Sequence, residues 1–286
     1  MAVSWDEEEN NENLASSEKG EVPEKIFSDE DIKKLIEETQ KQQKSATSNC
    51  FNCLIIGNDG TGKSGIVMDY MSKLPKKSII IDLDGGNAPI YESYYKNTEN
   101  KDKIVIITPL EIKSTKDDVV VDYKRTLAKI KAIVKYMKAN YIEFSAIAID
   151  GLSSLLKDAE YLMRIEKNIA PDGGVQLRYW INRSKVFTEI LEMLKSIPLI
   201  DKFYIGHEDF IMKDEMAAVK SKTNQMIHQR IICEKRTNLD KVEFVARIDK
   251  SKYNISLEGK EYKFASINHE TKKVEWNASE IFKGLK

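Results

Sequence analysis

One stretch constrains this chain more than any other. An apolar run at 51–56 leads into Gly57-Asn58-Asp59-Gly60-Thr61-Gly62-Lys63-Ser64, and apolar residues at helical spacing follow at Ile66, Val67, Tyr70 and Met71. The eight residues match G-x-x-x-x-G-K-[ST] in full, and the strand before and helix after supply the context the motif needs. Gly57, Gly60 and Gly62 let the loop wrap with its N–H groups pointing inward. The helix start adds positive potential for phosphates. Lys63 is placed to reach the β- and γ-phosphates of a nucleotide, and Ser64 to offer its hydroxyl to Mg²⁺.

The rest of the pattern fits a sheet around that loop. Short apolar runs recur at 51–56, 78–83, 104–108, 144–149 and 203–205, with helical patterns at about 63–73, 122–140, 152–167 and 177–197. Continuous apolar strands joined by helical crossovers predict an α/β fold, with a mostly parallel central sheet and helices on both faces. After residue 228 the character changes. Strand-like segments at 230–235, 242–248, 262–267 and 273–276, divided by turn residues, predict a C-terminal antiparallel hairpin extension. Ser28 and Asp31 mark an N-cap for a leading helix at 26–45, which packs on the main domain or on a neighbouring subunit. The predicted organisation is a disordered acidic tail at 1–25, that helix, and one globular domain at 46–286.

Charge is informative only once it is located. The whole chain has 45 basic and 46 acidic residues, a net −1. Residues 1–25 hold eight acids against Lys19 and Lys25, a tail of −6, so the remaining 43 basic and 38 acidic residues leave a body of +5. The tail is solubilising, or an acidic strip for a basic groove. No run of about 18 apolar residues predicts a membrane span, and the start lacks the apolar segment of a secretory signal. Three cysteines cannot build a disulfide framework, so a cytoplasmic, reducing setting is expected. Cys50-Phe51-Asn52-Cys53 lacks the further ligands of a zinc site.

Acids and a histidine end the other apolar runs. Phe144–Asp150 has the form of a strand delivering Asp150 to Mg²⁺. The run at 78–82 ends in Asp82-Leu83-Asp84, followed by Gly85 and Gly86. Tyr204-Ile205-Gly206-His207-Glu208 puts a polar side chain where it can sense a γ-phosphate.

These segments together resemble the RecA-like P-loop ATPases, over about residues 50–255, and among them the phage-encoded single-domain group used in viral DNA recombination. The resemblance implies a catalytic set of Lys63, Asp84, Asp150 and His207. Asp84 stands where the family carries a Glu that polarises the attacking water; Asp82 and Glu92 are the alternatives. It implies ATP and Mg²⁺ as ligands, head-to-tail rings or filaments, and a basic residue reaching the neighbour's ATP: Lys250, Lys252 or Arg247. It also implies single-stranded DNA contacts from the loops after the Asp150 and His207 strands, through Arg178, Arg183, Lys213, Lys220, Lys222 and Arg230, and a single-strand-binding or annealing protein as a further partner. The segment around 97–122 is an insert relative to the family.

The lead expectation is an ATP-dependent recombination or repair ATPase that binds single-stranded DNA and releases it on hydrolysis. A hexameric helicase or packaging motor shares the same features. A nucleotide-gated regulatory protein without DNA contact is the reading from another class, since Asp84 is one methylene shorter than the family's Glu.

Overall fold

The computed structural model describes residues 28–45, 50–114, 119–207, 223, 226–238, 241–268 and 274–285. The expected acidic tail, and Lys213, Lys220, Lys222 and Glu208, lie outside the described residues. The chain divides into two units, Met1–Thr47 and Ser48–Lys286. In the first, helix α1 spans Asp29–Ser45. It opens with a reciprocal cap: Ser28 Oγ accepts from Asp31 N at 3.1 Å, and Asp31 Oδ2 accepts from Ser28 N at 2.9 Å. The hydrogen bonds from Ser28 also hold the Asp31 carboxyl below its usual range.

The second unit is built on a nine-stranded sheet of order β11-β10-β9-β8-β1-β7-β6-β2-β3. Its strands are β1 (Asn52–Gly57), β2 (Lys77–Asp82), β3 (Ile104–Ile107), β6 (Phe144–Asp150), β7 (Asp201–His207), β8 (Gln229–Thr237), β9 (Lys241–Ser251), β10 (Glu261–Asn268) and β11 (Val274–Trp276). From β8 to β3 neighbouring strands are parallel; from β8 to β11 they are antiparallel. The predicted mostly parallel sheet with an antiparallel C-terminal extension is therefore the observed architecture. The 97–122 segment supplies the edge strand β3 and then a separate hairpin, β4 (Ile112–Ser114) with β5 (Val119–Val121). That hairpin was not anticipated.

Alternating side chains of the strands feed two cores. On one face, Cys53 and Ile55 of β1 join Ile66, Val67 and Met68 of α2 (Lys63–Ser72), and Ile281 and Phe282 of the last described helix, Ser279–Leu285 (α7). On the other, Leu54 and Ile56 join α4 (Tyr123–Ala139), α5 (Leu152–Glu166) and α6 (Leu177–Lys195). Helix α3 (Asn87–Tyr94) follows β2. The consequence for function lies in the register: Gly57 pairs with His207, Asp150 with Ile205, and Asp82 with Asp150. β2 and β6 thus end at one level and β1 and β7 run two residues further, and this shared C-terminal edge is the sheet position where α/β folds place ligands.

Candidate nucleotide-binding site

The phosphate loop turns directly into α2. Gly60 and Gly62 have φ of +70° and +82°, and Gly62 is the residue before the helix. Lys63 folds back over the loop, donating from Nζ to Gly57 O at 2.9 Å and Asn58 O at 2.7 Å. Burial pushes its ammonium pKa down, and the nearby carboxylates of Asp150, Asp59 and Asp84 oppose that shift. Thr61 Oγ1 closes the turn on Asn58 O at 2.8 Å. The loop borders a cleft of about 460 Å³, also lined by Ser64, Asp84, Asp150 and His207.

The acids of this edge divide by what holds them. Asp150 Oδ2 accepts from Ser64 Oγ at 2.5 Å and from Asn87 Nδ2 at 2.8 Å. Burial raises the Asp150 carboxyl pKa, against these two hydrogen bonds. Asn87 is fully buried and its Oδ1 has no hydrogen-bond partner. A hydroxyl, a carboxylate and an unsatisfied amide oxygen are hard oxygen donors, and this set fits Mg²⁺. Among the described residues no group of three or more His, Cys, Asp or Glu could hold a metal by itself.

Asp82 and Asp84 separate cleanly. Asp82 is buried, and its two oxygens accept backbone N–H groups from Gly85 at 2.9 Å and Asn87 at 3.0 Å. It shapes the turn into α3. Asp84 faces the cleft and accepts from Ser154 Oγ of α5 at 2.5 Å. Glu92, the other alternative, pairs with Lys96 at 2.6 Å on exposed helix surface and does not line the cleft. Gly151, directly after Asp150, makes the approach of Asp84 possible: a Cβ there would stand 2.6 Å from Asp84 Oδ1. One turn beyond Ser154, burial and the charge of Asp84 push the Asp158 carboxyl up to about 6.

His207 sits across the loop, its Nδ1 3.2 Å from Asp59 Oδ1. Lys63, Ser64, Asp84, Asp150 and His207 therefore meet at one cleft. Asn87 and Ser154 bond Asp150 and Asp84, and Asp158 feels the charge of Asp84; none of the three was singled out from sequence. The Gly85-Gly86-Asn87 turn was the available signal for Asn87; Ser154 and Asp158 needed the packing of α5 to reveal them.

The residues expected to act on a neighbour or on DNA lie elsewhere. Lys250 pairs across β8–β9 with Arg230, itself level with Leu54 at the start of β1, so this end of the sheet is opposite the phosphate loop. Arg230 and Arg247 both bond the Asp249 carboxylate. Lys252 N donates to His228 O at 2.9 Å, and His228 Nδ1 lies 2.7 Å from Tyr253 Oη. Burial lowers the His228 pKa, and Lys252, Lys195, Lys202 and Lys250 lower it further. Lys202 itself is buried, its Nζ donating to Ile200 O at 3.0 Å. In α6, exposed Arg178 lies over the Tyr179 ring at 4.9 Å. Arg183 lies over Trp180 at 4.2 Å and pairs with Glu160 at 3.5 Å.

Among the described residues no disulfide joins Cys50, Cys53 and Cys233. Burial pushes Cys233 up to about 12 and raises Cys53 as well. Among the described residues no helix is long and apolar enough to cross a membrane.

No protein-family model and no curated protein matches this chain. Among the solved structures similar to it are two that cover most of the chain. The KaiC-like protein PH0186 from Pyrococcus horikoshii OT3 aligns with 74% of this chain and 84% of its own, at 14% identity and a TM-score of 0.46. The RadB recombinase aligns with 78% of this chain and 92% of its own, at 16% identity and a TM-score of 0.47.

Proposed function

We propose that this chain is a RecA-like ATPase that binds ATP with Mg²⁺ at the C-terminal edge of its parallel sheet, works as a homo-oligomer, and couples hydrolysis to release of single-stranded DNA. The observation that carries the reading is the convergence of Lys63, Ser64, Asp84, Asp150 and His207 from four different segments on one cleft. Ser64 and Asp150, with Asn87 behind them, would hold Mg²⁺, which when bound neutralises charge on the β- and γ-phosphates. Lys63 exchanges its two loop carbonyls for phosphate oxygens. Asp84, held by Ser154, orients a water for in-line attack on the γ-phosphorus and accepts its proton as ADP leaves. His207 senses whether the γ-phosphate is present, and the segment after it carries that state onward.

The oligomer and DNA parts of the proposal rest on charge. Lys250, with Lys252 two residues on, lies at the end of the sheet away from the chain's own phosphate loop, as a group serving a neighbour's nucleotide requires. Arg178 and Tyr179 offer a cation and a ring beside the 168–176 loop, suited to backbone and stacking contacts with a single strand. Phosphate release measured with and without single-stranded DNA, alongside light scattering, tests the proposal. ATP turnover that single-stranded DNA stimulates, on particles larger than one chain, is the expected result. Strand displacement would move the reading to a motor. Tight ATP binding with no response to DNA would move it to a nucleotide-gated regulator.

A further inference from the structure

The cleft has a second end that the phosphate chemistry does not use. Beyond Gly65 its wall is apolar and aromatic: Ile90 and Tyr94 from α3, Phe244 from β9, Ile267 from β10, and Val274 and Trp276 from β11. Most of these belong to the antiparallel extension, which folds over the start of α2. Trp276 is its centre. A Cβ on Gly65 would stand 2.0 Å from the Trp276 ring, so only glycine after Ser64 lets the indole lie against the helix start. Phe264 stacks beside the indole at 6.3 Å and 26°, and Tyr94 meets it edge-on at 5.9 Å. The indole Nε1–H is buried with no acceptor, and an unmet buried donor is costly in a finished core.

Resting on the nucleotide reading above, we propose that this aromatic wall is the nucleobase subsite, with the purine ring of ATP seated against Trp276 and between the α3 and extension side chains. The chemistry selects a base over the rest of the ligand. Charged groups gather at the other end of the cleft, around Lys63 and Asp150, whereas this end offers flat π surface and aliphatic side chains. A base has a π face of its own, and stacking on an aromatic side chain contributes without demanding a charge. The cleft is continuous from the phosphate loop to Trp276, so one nucleotide spans both ends. The extension is then part of the binding site as well as a cover for α2.

The test compares ATP with inorganic tripolyphosphate, which keeps the charge and lacks the base. Equilibrium binding of both is measured on the full chain and on its Trp276→Ala and Trp276→Phe forms. Trp276→Ala should weaken ATP about tenfold or more and leave tripolyphosphate within about twofold, while Trp276→Phe should recover most of the ATP affinity. Equal weakening of both ligands, or unchanged ATP affinity, overturns the proposal. A second measurement does not depend on the stability of the alanine form. In a chain whose other tryptophans, Trp5 and Trp180, are replaced by Phe, ATP should quench Trp276 emission and tripolyphosphate should not; absence of quenching by ATP, once binding is established, overturns it. Should the wild-type chain bind neither ligand, the nucleotide reading itself fails, which is a different result from loss of base discrimination alone.

Discussion

In the parallel half of the sheet Asp82, Asp84 and Asp150 stand together at one edge, and Lys63 is the Lys or Arg among the described residues lining their cleft. In the antiparallel half charges are matched on the spot: Asp249 takes Arg230 and Arg247, and Arg236 takes Glu234 and Glu261. The exposed pairs of the second half each contribute little to stability. In the first half burial, and then the charges of Asp84 and Asp82, raise the Asp150 carboxyl pKa, an arrangement that costs stability and belongs where a polyvalent ligand will compensate it. One half is built for a charged visitor. The other is built to close the fold, and it does so with aromatic packing over α2.

The largest expected effect breaks the parallel half alone. Lys63→Ala should lower ATP turnover by about a thousandfold with the fold intact, read by phosphate release and circular dichroism. Next comes a blow to the antiparallel half. Phe282 packs against Phe51, Tyr70 and Phe203 at ring separations of 5.5, 4.5 and 5.5 Å. Phe282→Ala should destabilise the domain by about 3 kcal/mol in urea unfolding; a loss well under 1 kcal/mol would mean the extension is not integral to the core. Asp84→Asn should cut the rate about a hundredfold while nucleotide binding stays within about twofold, and Glu92→Gln should leave the rate unchanged.

The smallest effect tests the charge argument directly. The folded-state pKa of Asp158, about 6, is above its ordinary value of 3.8. A raised carboxyl contributes stability that is fully present below pH 3.8 and is lost as pH rises through 6. Asp158→Asn should therefore be more stable than wild type at pH 7, by about 1 kcal/mol after discounting for solvent. The advantage should shrink as pH falls from 6 towards 4. Unfolding curves across that range check the sign.

Legibility followed sequence distance. The phosphate loop was readable because its eight residues are contiguous and their spacing is the mechanism. Asp150 and His207 were readable because each ends an apolar run in a repeated strand pattern. Asp84 could be favoured over Asp82 and Glu92 but not separated from them, since the separation depends on Gly85 N, Asn87 N, Ser154 and Lys96. Arg183 read as a basic residue near a flexible loop, and only the fold reveals Trp180 and Glu160 against it. The β4–β5 hairpin was missed because each of its strands is three residues long, too short for periodicity to register. Trp276 carried no motif; its meaning comes from lying against Gly65, far away in the chain.

That last kind of contact has a consequence for the order of assembly. Ala278 N donates to the Asp69 carboxylate at 3.0 Å, and Phe282 completes the ring cluster around Tyr70. A growing chain makes α2 long before it makes its cover. During synthesis the nucleotide loop would wait, half-clothed, while some two hundred further residues emerge. The cleft gains its second wall only after the distant cover arrives, and translation halted before it would yield a sheet whose phosphate loop is present but whose helix still shows an uncovered apolar flank.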